Sequence, residues 1–228
     1  MTNIVELKKV DKVYRGAVDT HVLFSIDLSF EQGSFNSIVG ESGSGKSTLL
    51  NIMGTLDRPT AGELWLEGRS TSSLNADSMA ELRNRSIGFV FQFHYLLPEF
   101  SALENVLMPY LIGNRKAGAG VKKRAEELLD LMGIARVKNN MANKMSGGQQ
   151  QRTAIARALM NNPKIFLADE PTGNLDSENT AVIYRILRDV NRQFGTTFII
   201  ITHDRRIAEQ TDRIVKIKDG RIATDLLR

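Results

Sequence analysis

A lysine and a hydroxyl residue close the glycine-rich stretch GESGSGKST, and residues of these types at this spacing can hold a phosphate. Gly40, Gly45, Lys46 and Ser47 satisfy the pattern G-x-x-x-x-G-K-[ST]. In this pattern backbone N–H groups curl around a β-phosphate, the lysine places a positive charge between the β- and γ-phosphates, and the hydroxyl ligates Mg²⁺. We therefore predict that a nucleotide is bound by Gly40, Glu41, Ser42, Gly43, Ser44, Gly45, Lys46, Ser47 and Thr48.

Two carboxylates, Asp169 and Glu170, end the apolar run IFLADE. A carboxylate at the carboxyl end of a parallel strand faces the crevice in which ligands bind. We expect Asp169 to hold Mg²⁺ through water and Glu170 to accept a proton from the attacking water. An ordinary acidic pair at a strand end is the alternative, which the phosphate loop upstream disfavours. A second acid beside the Mg²⁺ ligand favours hydrolysis of ATP over its use to phosphorylate a small molecule.

A second candidate anion site lies in KMSGGQQQRTAIARAL, where Ser146, Gly147 and Gly148 precede a helical stripe that includes Ile155 and Leu159. The N-terminus of a helix attracts anions through its free N–H groups and its dipole. The helix that follows the glycine loop and the helix that begins at SGG could both bind the same ATP only if the second helix came from another subunit. The alternative for SGG alone is a serine that caps a helix before a glycine turn.

Strands and helices of a parallel sheet must position these residues. FNSIVG predicts a buried strand that runs into the glycine loop, and STLLNIMGTL predicts a helix after it. KIFLADE and TTFIIITHD are apolar runs typical of strands that are covered on both faces. Ile183, Leu187 and Val190 recur between them at helical spacing, so this end of the chain is strand, helix, strand. That order implies a parallel sheet.

The middle of the chain, roughly Gln92 to Asn162, has a different pattern. Leu128, Leu129 and Met132 indicate helices, and the segment contains no convincing strand. We predict that it forms a helical subdomain inserted into an α/β core.

Composition excludes several classes of protein. The formal net charge is +4 and the charges are scattered, so nucleic-acid binding is not indicated. The chain has no cysteine, which excludes disulfides and thiol chemistry. No apolar run approaches the roughly 20 residues that cross a bilayer. We expect a soluble chain whose contact with a membrane requires a partner.

Several motifs in sequence order resemble those of the nucleotide-binding subunits of ABC transporters. MSGGQQQR is followed by IFLADEPTGNLDS and then by IIITHD, and the resemblance covers nearly the whole chain. It implies a single nucleotide-binding domain over 1–228, of the P-loop NTPase fold and ABC ATPase type. This fold has a mainly parallel sheet core with an N-terminal antiparallel β part, here about 1–91 and 163–228, and an inserted helical subdomain at about 92–162.

The resemblance also implies an ATP-dependent, head-to-tail homodimer with two composite sites. By position, Asp176 in GNLD matches the loop that links the two sites. Met145 replaces the usual leucine before the signature, a swap that conserves volume. The signature is expected to meet the γ-phosphate held by the partner through Ser146, Gly147, Gly148 and Gln149.

The cofactors implied are ATP and Mg²⁺. Asp169 and Glu170 match the family's Mg²⁺-binding acid and catalytic base. His203 matches the histidine that contacts the γ-phosphate, and Gln92 matches the glutamine that senses Mg²⁺ and the attacking water. Tyr14 matches the aromatic residue that stacks on adenine. Without the resemblance, His203 would be interpreted as a helix cap, Gln92 as a lone polar residue and Tyr14 as an aromatic residue packed at the end of a strand.

The stretch FHYLLPEFSALENV after Gln92 indicates the partner. In the family this region lies beside the groove that receives a coupling helix from the membrane permease, here near Gln92–Phe100. This stretch resembles the sequence of the lipoprotein-releasing ATPases (LolD type) most closely, within a group that includes macrolide exporters (MacB type). We therefore expect a peripheral subunit on the cytoplasmic face of the inner membrane, which contacts the membrane only through its permease.

Two rival classes share the signature. DNA-repair and chromosome ATPases separate their two nucleotide motifs by a long coiled coil or by zinc modules, whereas this chain has no sustained heptads and no cysteine. An ATPase that regulates wall enzymes during cell division has a similar size and stays open as an alternative.

Overall fold

The computed structural model describes residues 2–114, 116–173 and 177–227, without the side chains of residues 177, 178 and 205. Its strands are β1 (Asn3–Tyr14), β2 (Thr20–Glu31), β3 (Phe35–Val39), β4 (Ala61–Leu66), β5 (Arg69–Ser70), β6 (Ile87–Val90), β7 (Ile165–Asp169), β8 (Thr197–Ile201), β9 (Arg213–Lys218) and β10 (Arg221–Leu227). Its α-helices are α1 (Lys46–Met53), α2 (Ala76–Ser86), α3 (Ala102–Gly113), α4 (Ala119–Leu131), α5 (Gly147–Leu159), α6 (Ser177–Phe194) and α7 (Arg205–Ala208).

The central sheet has six strands in the order β10-β9-β3-β8-β7-β6. Every pairing from β9 through β6 is parallel, and only β10 runs antiparallel to its neighbour. Because β3, β8 and β7 are adjacent and parallel, the loops after their carboxyl ends meet at one edge. The glycine loop follows β3 and the acidic pair ends β7. The predicted parallel core is therefore confirmed.

A separate antiparallel sheet of four strands, in the order β2-β1-β4-β5, forms the N-terminal β part. It shares one hydrophobic core with α1 and one face of the central sheet, where Leu167 and Ile199 are fully buried. Helices α3 to α6 share the other core, where Phe166 and Phe198 lie with ring centroids 4.7 Å apart. Successive residues of β7 and β8 thus enter opposite cores, as period-two side chains in a doubly covered strand must.

The middle of the chain is helical, as expected. The described residues between 92 and 162 contain α3, α4, α5 and two short 3₁₀ turns, and their only β feature is a single bridge between Ser101 and Met141. The division at residues 92 and 162 stays a prediction. None of the helices that the structure describes is long and apolar enough to cross a membrane.

Candidate functional site

The glycine loop between β3 and α1 has a backbone that side chains would obstruct. A Cβ atom on Gly40 would lie 2.3 Å from the carbonyl oxygen of Ile217, and one on Gly45 would lie 2.8 Å from Leu23 Cδ2. Gly45 has φ +100° and precedes the first residue of α1. Among the described side chains none caps this helix start, and its first turn carries no acid. The N-terminus of α1 therefore keeps the electrostatic character that attracts a phosphate.

Lys46 lies over this loop. Its Nζ atom donates a hydrogen bond of 2.7 Å to the carbonyl oxygen of Glu41 and lies 3.5 Å from Ser44 Oγ. The ammonium group is thus held at the loop that would bind a phosphate. A phosphate oxygen offers this ammonium a stronger, charge-assisted acceptor than the neutral carbonyl.

Ser47 and Asp169 lie together although 121 other residues separate them in the chain. The carboxylate of Asp169 accepts a hydrogen bond from the Ser47 side chain. Burial raises the pKa of Asp169, and the neighbouring charge of Glu170 raises it further, against the opposing effects of Ser47 and Lys46. A hydroxyl and a carboxylate in contact supply the hard oxygen ligands that Mg²⁺ prefers, so the pair fits this ion.

Glu170 has an unusual backbone conformation. Its φ is +49°, in the left-handed region, where a non-glycine residue costs on the order of 1–3 kcal/mol unless its surroundings hold it. Its N–H donates to the carbonyl of Ile201 at 3.0 Å, and its own carbonyl accepts from the Gly173 N–H at 3.1 Å. Its Oε2 atom lies 2.6 Å from Nδ1 of His203, which is largely exposed. The two residues predicted as base and γ-phosphate contact are therefore neighbours.

A cavity of about 300 Å³ opens beside Glu170 and His203. Tyr184 closes one side of it, and burial raises the pKa of this phenol above its usual value. The cavity gives a water molecule space next to the Glu170 carboxylate. The other lining residues include Thr172, Thr180, Thr202, Asp204 and Gln210.

The SGG segment begins α5, as predicted. Ser146 Oγ accepts a hydrogen bond from the Gln149 N–H at 3.3 Å, and the Gln149 side chain accepts from the Ser146 N–H at 3.0 Å. Ser146 therefore caps the start of α5, as the alternative interpretation of SGG predicts. Ser146 and Gly147 are nevertheless exposed, and a Cβ on Gly147 would meet no atom within 4 Å. The start of α5 is therefore open to a ligand or to a second chain.

The three other predicted site residues lie in different settings. Tyr14 ends β1 with 43% of its surface exposed, and its side chain hydrogen-bonds to Thr48 in the first turn of α1. Gln92 follows β6 and is exposed. Asp176 lies outside the described residues, so its predicted role stays a prediction. The structure thus brings Tyr14 to the first turn of the helix that follows the glycine loop.

The sequence model of the family described as "ABC transporter" matches residues 23–173, which include the glycine loop, the α5 signature and the acidic pair. The chain belongs to the ABC transporter family. It is an ATP-binding ATPase of this type, and the sequence-based predictions of its family, fold class and enzyme class are confirmed.

Relatives of this ABC ATPase cover almost its whole length. It is 49% identical over 225 residues to "Lipoprotein-releasing system ATP-binding protein LolD 1" of Rhodopseudomonas palustris, covering 98% of this chain and 100% of that protein. It is 50% identical over 225 residues to "Lipoprotein-releasing system ATP-binding protein LolD" of Anaeromyxobacter dehalogenans, covering 98% of this chain and 94% of that protein.

Solved structures give the same picture of the fold. The ATP-binding cassette MJ0796, in a dimeric post-hydrolysis state bound to ADP and Pi, superposes with a TM-score of 0.92 at 44% identity, covering 98% of each chain. CbiO1 of Clostridium perfringens, part of the ABC transporter complex cbiONQ, superposes with a TM-score of 0.85 at 29% identity, covering 98% of this chain and 88% of that one.

Sequence reasoning missed two residues beside the predicted site of this ABC ATPase. Lys12 and Asp57 contact Tyr14, but they are 45 positions apart and belong to no motif. Burial favours the neutral form of Asp57, yet hydrogen bonds from Lys12, Tyr14 and the Arg58 N–H outweigh it and hold the pKa of this carboxyl below its usual value. No pattern in the sequence identifies such a pair, because the contact depends on how β1 packs beside the loop after α1.

Proposed function

We propose that this chain is the ATPase of a complex that releases lipoproteins from the outer leaflet of an inner membrane toward the outer membrane. The observation that carries the proposal is 49–50% identity, over nearly the full length, to proteins named for lipoprotein release. The subunit would lie on the cytoplasmic face, bound to permease subunits, and would contact the membrane only through them. The lipoprotein lies on the opposite side of the membrane and need not contact this chain.

In this proposal the glycine loop and Lys46 bind the phosphates of ATP. Ser47 and Asp169 would hold Mg²⁺, with Gln92 reaching it from the loop after β6. When bound, Mg²⁺ would neutralise charge on the β- and γ-phosphate oxygens. The contact between Ser47 and Asp169 supports this assignment, because the two oxygen groups already face each other.

Glu170 acts as the general base. Its carboxylate takes the proton of the attacking water, and its conformation is fixed by backbone hydrogen bonds to β8 and the following turn. His203 would orient that carboxylate through Nδ1 and present its exposed ring to the γ-phosphate; its contact of 2.6 Å with Glu170 supports this role. A side chain that is oriented before the reaction loses less freedom when the transition state forms.

The complete catalytic site requires a second copy of the chain. Ser146, Gly147, Gly148 and Gln149 at the start of α5 would close over the ATP held by the partner's glycine loop. The open start of α5 supports this arrangement, as does the dimeric state of the MJ0796 cassette. Closure of the head-to-tail homodimer on ATP, and its opening after hydrolysis, would provide the mechanical step.

The permease would bind to an exposed apolar cluster in the loop after β6. Phe93 and Tyr95 are 67% and 65% exposed, and Leu97 and Phe100 are 40% and 38% exposed, all directly after Gln92. Contiguous exposed apolar side chains on a soluble domain indicate an interaction site. Leu96 differs from them because it packs against the core that helices α3 to α6 share with the central sheet. A coupling helix bound to this cluster would connect permease movement to Gln92.

Depletion of the chain in its native host tests the function. We expect outer-membrane lipoproteins to accumulate in the inner-membrane fraction, and an exogenous wild-type copy to restore their position, whereas a Glu170→Gln copy does not. If lipoproteins are correctly placed but export of a drug or toxin fails, the chain is instead the ATPase of an exporter of the macrolide type. If cells form filaments while lipoproteins are placed normally, the result favours an ATPase that regulates wall enzymes during cell division.

A further inference from the structure

Lys12 carries a charge that is almost completely removed from water and that the proposed mechanism does not use. Only 8% of Lys12 is exposed, although it lies in β1 of the outer antiparallel sheet. Its Nζ atom lies 2.5 Å from Asp57 Oδ1 and donates a hydrogen bond of 2.8 Å to the carbonyl of Arg58. A buried cation is costly unless it is paired and hydrogen-bonded, so this arrangement calls for an explanation.

The same two charged groups hold the ring of Tyr14 at two points. Its phenol donates a hydrogen bond of 2.9 Å to the other carboxylate oxygen of Asp57. The Lys12 ammonium lies 4.7 Å from the centroid of the Tyr14 ring, within the range of a cation–π contact. One face of the ring meets the ammonium, and Tyr14 as a residue is still 43% exposed, which leaves surface of this side chain for a planar ligand.

The cluster of Lys12, Asp57 and Tyr14 is also fixed relative to the helix that binds phosphate. The N–H groups of Leu56 and Asp57 both donate to the carbonyl of Asn51 inside α1, at 2.9 and 3.2 Å. Asp57 therefore lies at a set position from the C-terminal end of α1, and the glycine loop lies at its N-terminal end. The Asp57 carboxylate in turn sets the position of the Tyr14 hydroxyl.

We propose that Lys12 and Asp57 are positioning residues for the adenine of ATP: they hold the Tyr14 ring at a fixed distance from the phosphate loop, with one face open to the base. This inference rests on the proposed stacking of Tyr14 on adenine. A ring that is already immobilised loses little rotamer freedom when the base binds, which increases affinity. The pair should therefore affect binding of the base and leave binding of the phosphates unchanged.

The test compares ATP with inorganic triphosphate, which lacks the base, in titration calorimetry on the full chain with Mg²⁺. We expect Asp57→Ala and Lys12→Met to weaken ATP binding about 3–10-fold, the scale of a charged hydrogen bond that solvent partly screens. Their affinity for triphosphate should not change. Tyr14→Phe, which keeps the Lys12–Asp57 pair, should show part of the same loss.

A matched control removes an acid from another ion pair. Asp225→Ala breaks the contact of Asp225 with Arg213, also 2.5 Å long, in the β9–β10 hairpin. We expect it to leave both affinities unchanged. Binding of triphosphate also reports whether each variant is folded around its phosphate loop.

A double-mutant cycle separates positioning from general stabilisation. In a Tyr14→Ala background, Asp57→Ala should cause no further loss of ATP affinity, because there is no ring left to position. An additive loss, or an equal loss for triphosphate, would overturn the proposal while leaving stacking intact. Unchanged ATP affinity in Tyr14→Ala would instead refute the stacking itself, and the positioning role with it.

Discussion

His203 Nδ1 lies 2.6 Å from Glu170 Oε2, and the two residues follow the carboxyl ends of neighbouring parallel strands. Strand β7 pairs with β8 so that Asp169 is level with Ile201, which brings the next residues of each strand to the same edge. The contact places the proposed base and the proposed γ-phosphate contact in one hydrogen-bonded unit. Since His203 is largely exposed, the imidazole can orient the carboxylate while its other face remains open to a ligand.

Removal of the negative charge of Glu170 should stop hydrolysis. We expect Glu170→Gln to keep ATP binding and to lower the ATPase rate by roughly 10²–10⁴-fold, the usual contribution of a positioned base. The variant should also accumulate an ATP-bound dimer, detected by light scattering. Glu126→Gln, which alters only a surface contact with Lys138, is the control and should keep the wild-type rate. A near-normal rate in Glu170→Gln would show that another group is the base.

Gly147 should be essential for hydrolysis but not for binding by the monomer. Gly147→Asp places a carboxylate at the start of α5, where it would repel the γ-phosphate held by the partner. Gly120→Asp in the first turn of α4 is a matched control, because a Cβ at either glycine meets no atom within 4 Å. We expect wild-type ATP affinity in both variants and a loss of ATPase activity only in Gly147→Asp.

The dependence of that activity on protein concentration provides a second check. A composite site predicts that the wild-type ATPase rate per chain rises with concentration and levels off when dimers form. Full activity in a sample that light scattering shows to be monomeric would contradict the shared site.

The exposed cluster after Gln92 should matter only when the permease is present. We expect Phe93→Asp to keep the ATPase activity of the isolated chain and to abolish its change on addition of the permease. Phe194→Asp is the matched control, since Phe194 is 55% exposed at the end of α6, outside this cluster. Loss of the permease response in both variants, or in neither, would contradict the assigned surface.

Glu67 should contribute stability that depends on pH. Burial favours its neutral form, but hydrogen bonds from Lys164 and Ser86 outweigh it and hold the pKa of Glu67 below its usual value. A carboxyl whose pKa is lowered by folding stabilises the protein above its unfolded pKa and loses that contribution as the pH falls through its folded pKa. Glu67→Gln should therefore lower the melting temperature at pH 7 and converge on the wild type in acid.

The expected loss at pH 7 is small, below about 1 kcal/mol, because Lys164 is more than half exposed and solvent screens the pair. Thermal denaturation between pH 7 and pH 3, with Glu126→Gln as the exposed control, measures it. A constant difference across this range would show that the loss has a cause other than charge.

The central strands and the phosphate loop could be predicted because local signals decide them. Strands β7 and β8 are almost continuously apolar, and only a strand covered on both faces buries such a run. Helix α2 was not predicted. Only Met79 and Ser86 of this helix are buried, so it has almost no apolar stripe, and its clearest signal is the Asn75 cap on the Ser78 N–H.

The contacts around the site depend on tertiary structure. The proximity of Glu170 and His203 could be expected from strand order, but the left-handed conformation of Glu170 could not, because a positive φ in a non-glycine residue has no sequence pattern. In the sequence Lys12 is an ordinary strand lysine, on the same face of β1 as the buried Val10. Its partners there, Asp57 and the carbonyl of Arg58, come from the loop after α1 and could not be predicted from the sequence.

Release of a lipoprotein by the purified complex is the most direct test of the proposed function. The chain and its permease would be reconstituted in liposomes that carry a fluorescently labelled lipoprotein of the host, and the label transferred to a soluble acceptor that shields acyl chains would be measured after addition of ATP and Mg²⁺. We predict release that requires ATP and is absent when the chain carries Glu170→Gln. Label that stays in the liposomes while wild-type ATP hydrolysis proceeds at the permease-stimulated rate would contradict lipoprotein release as the function.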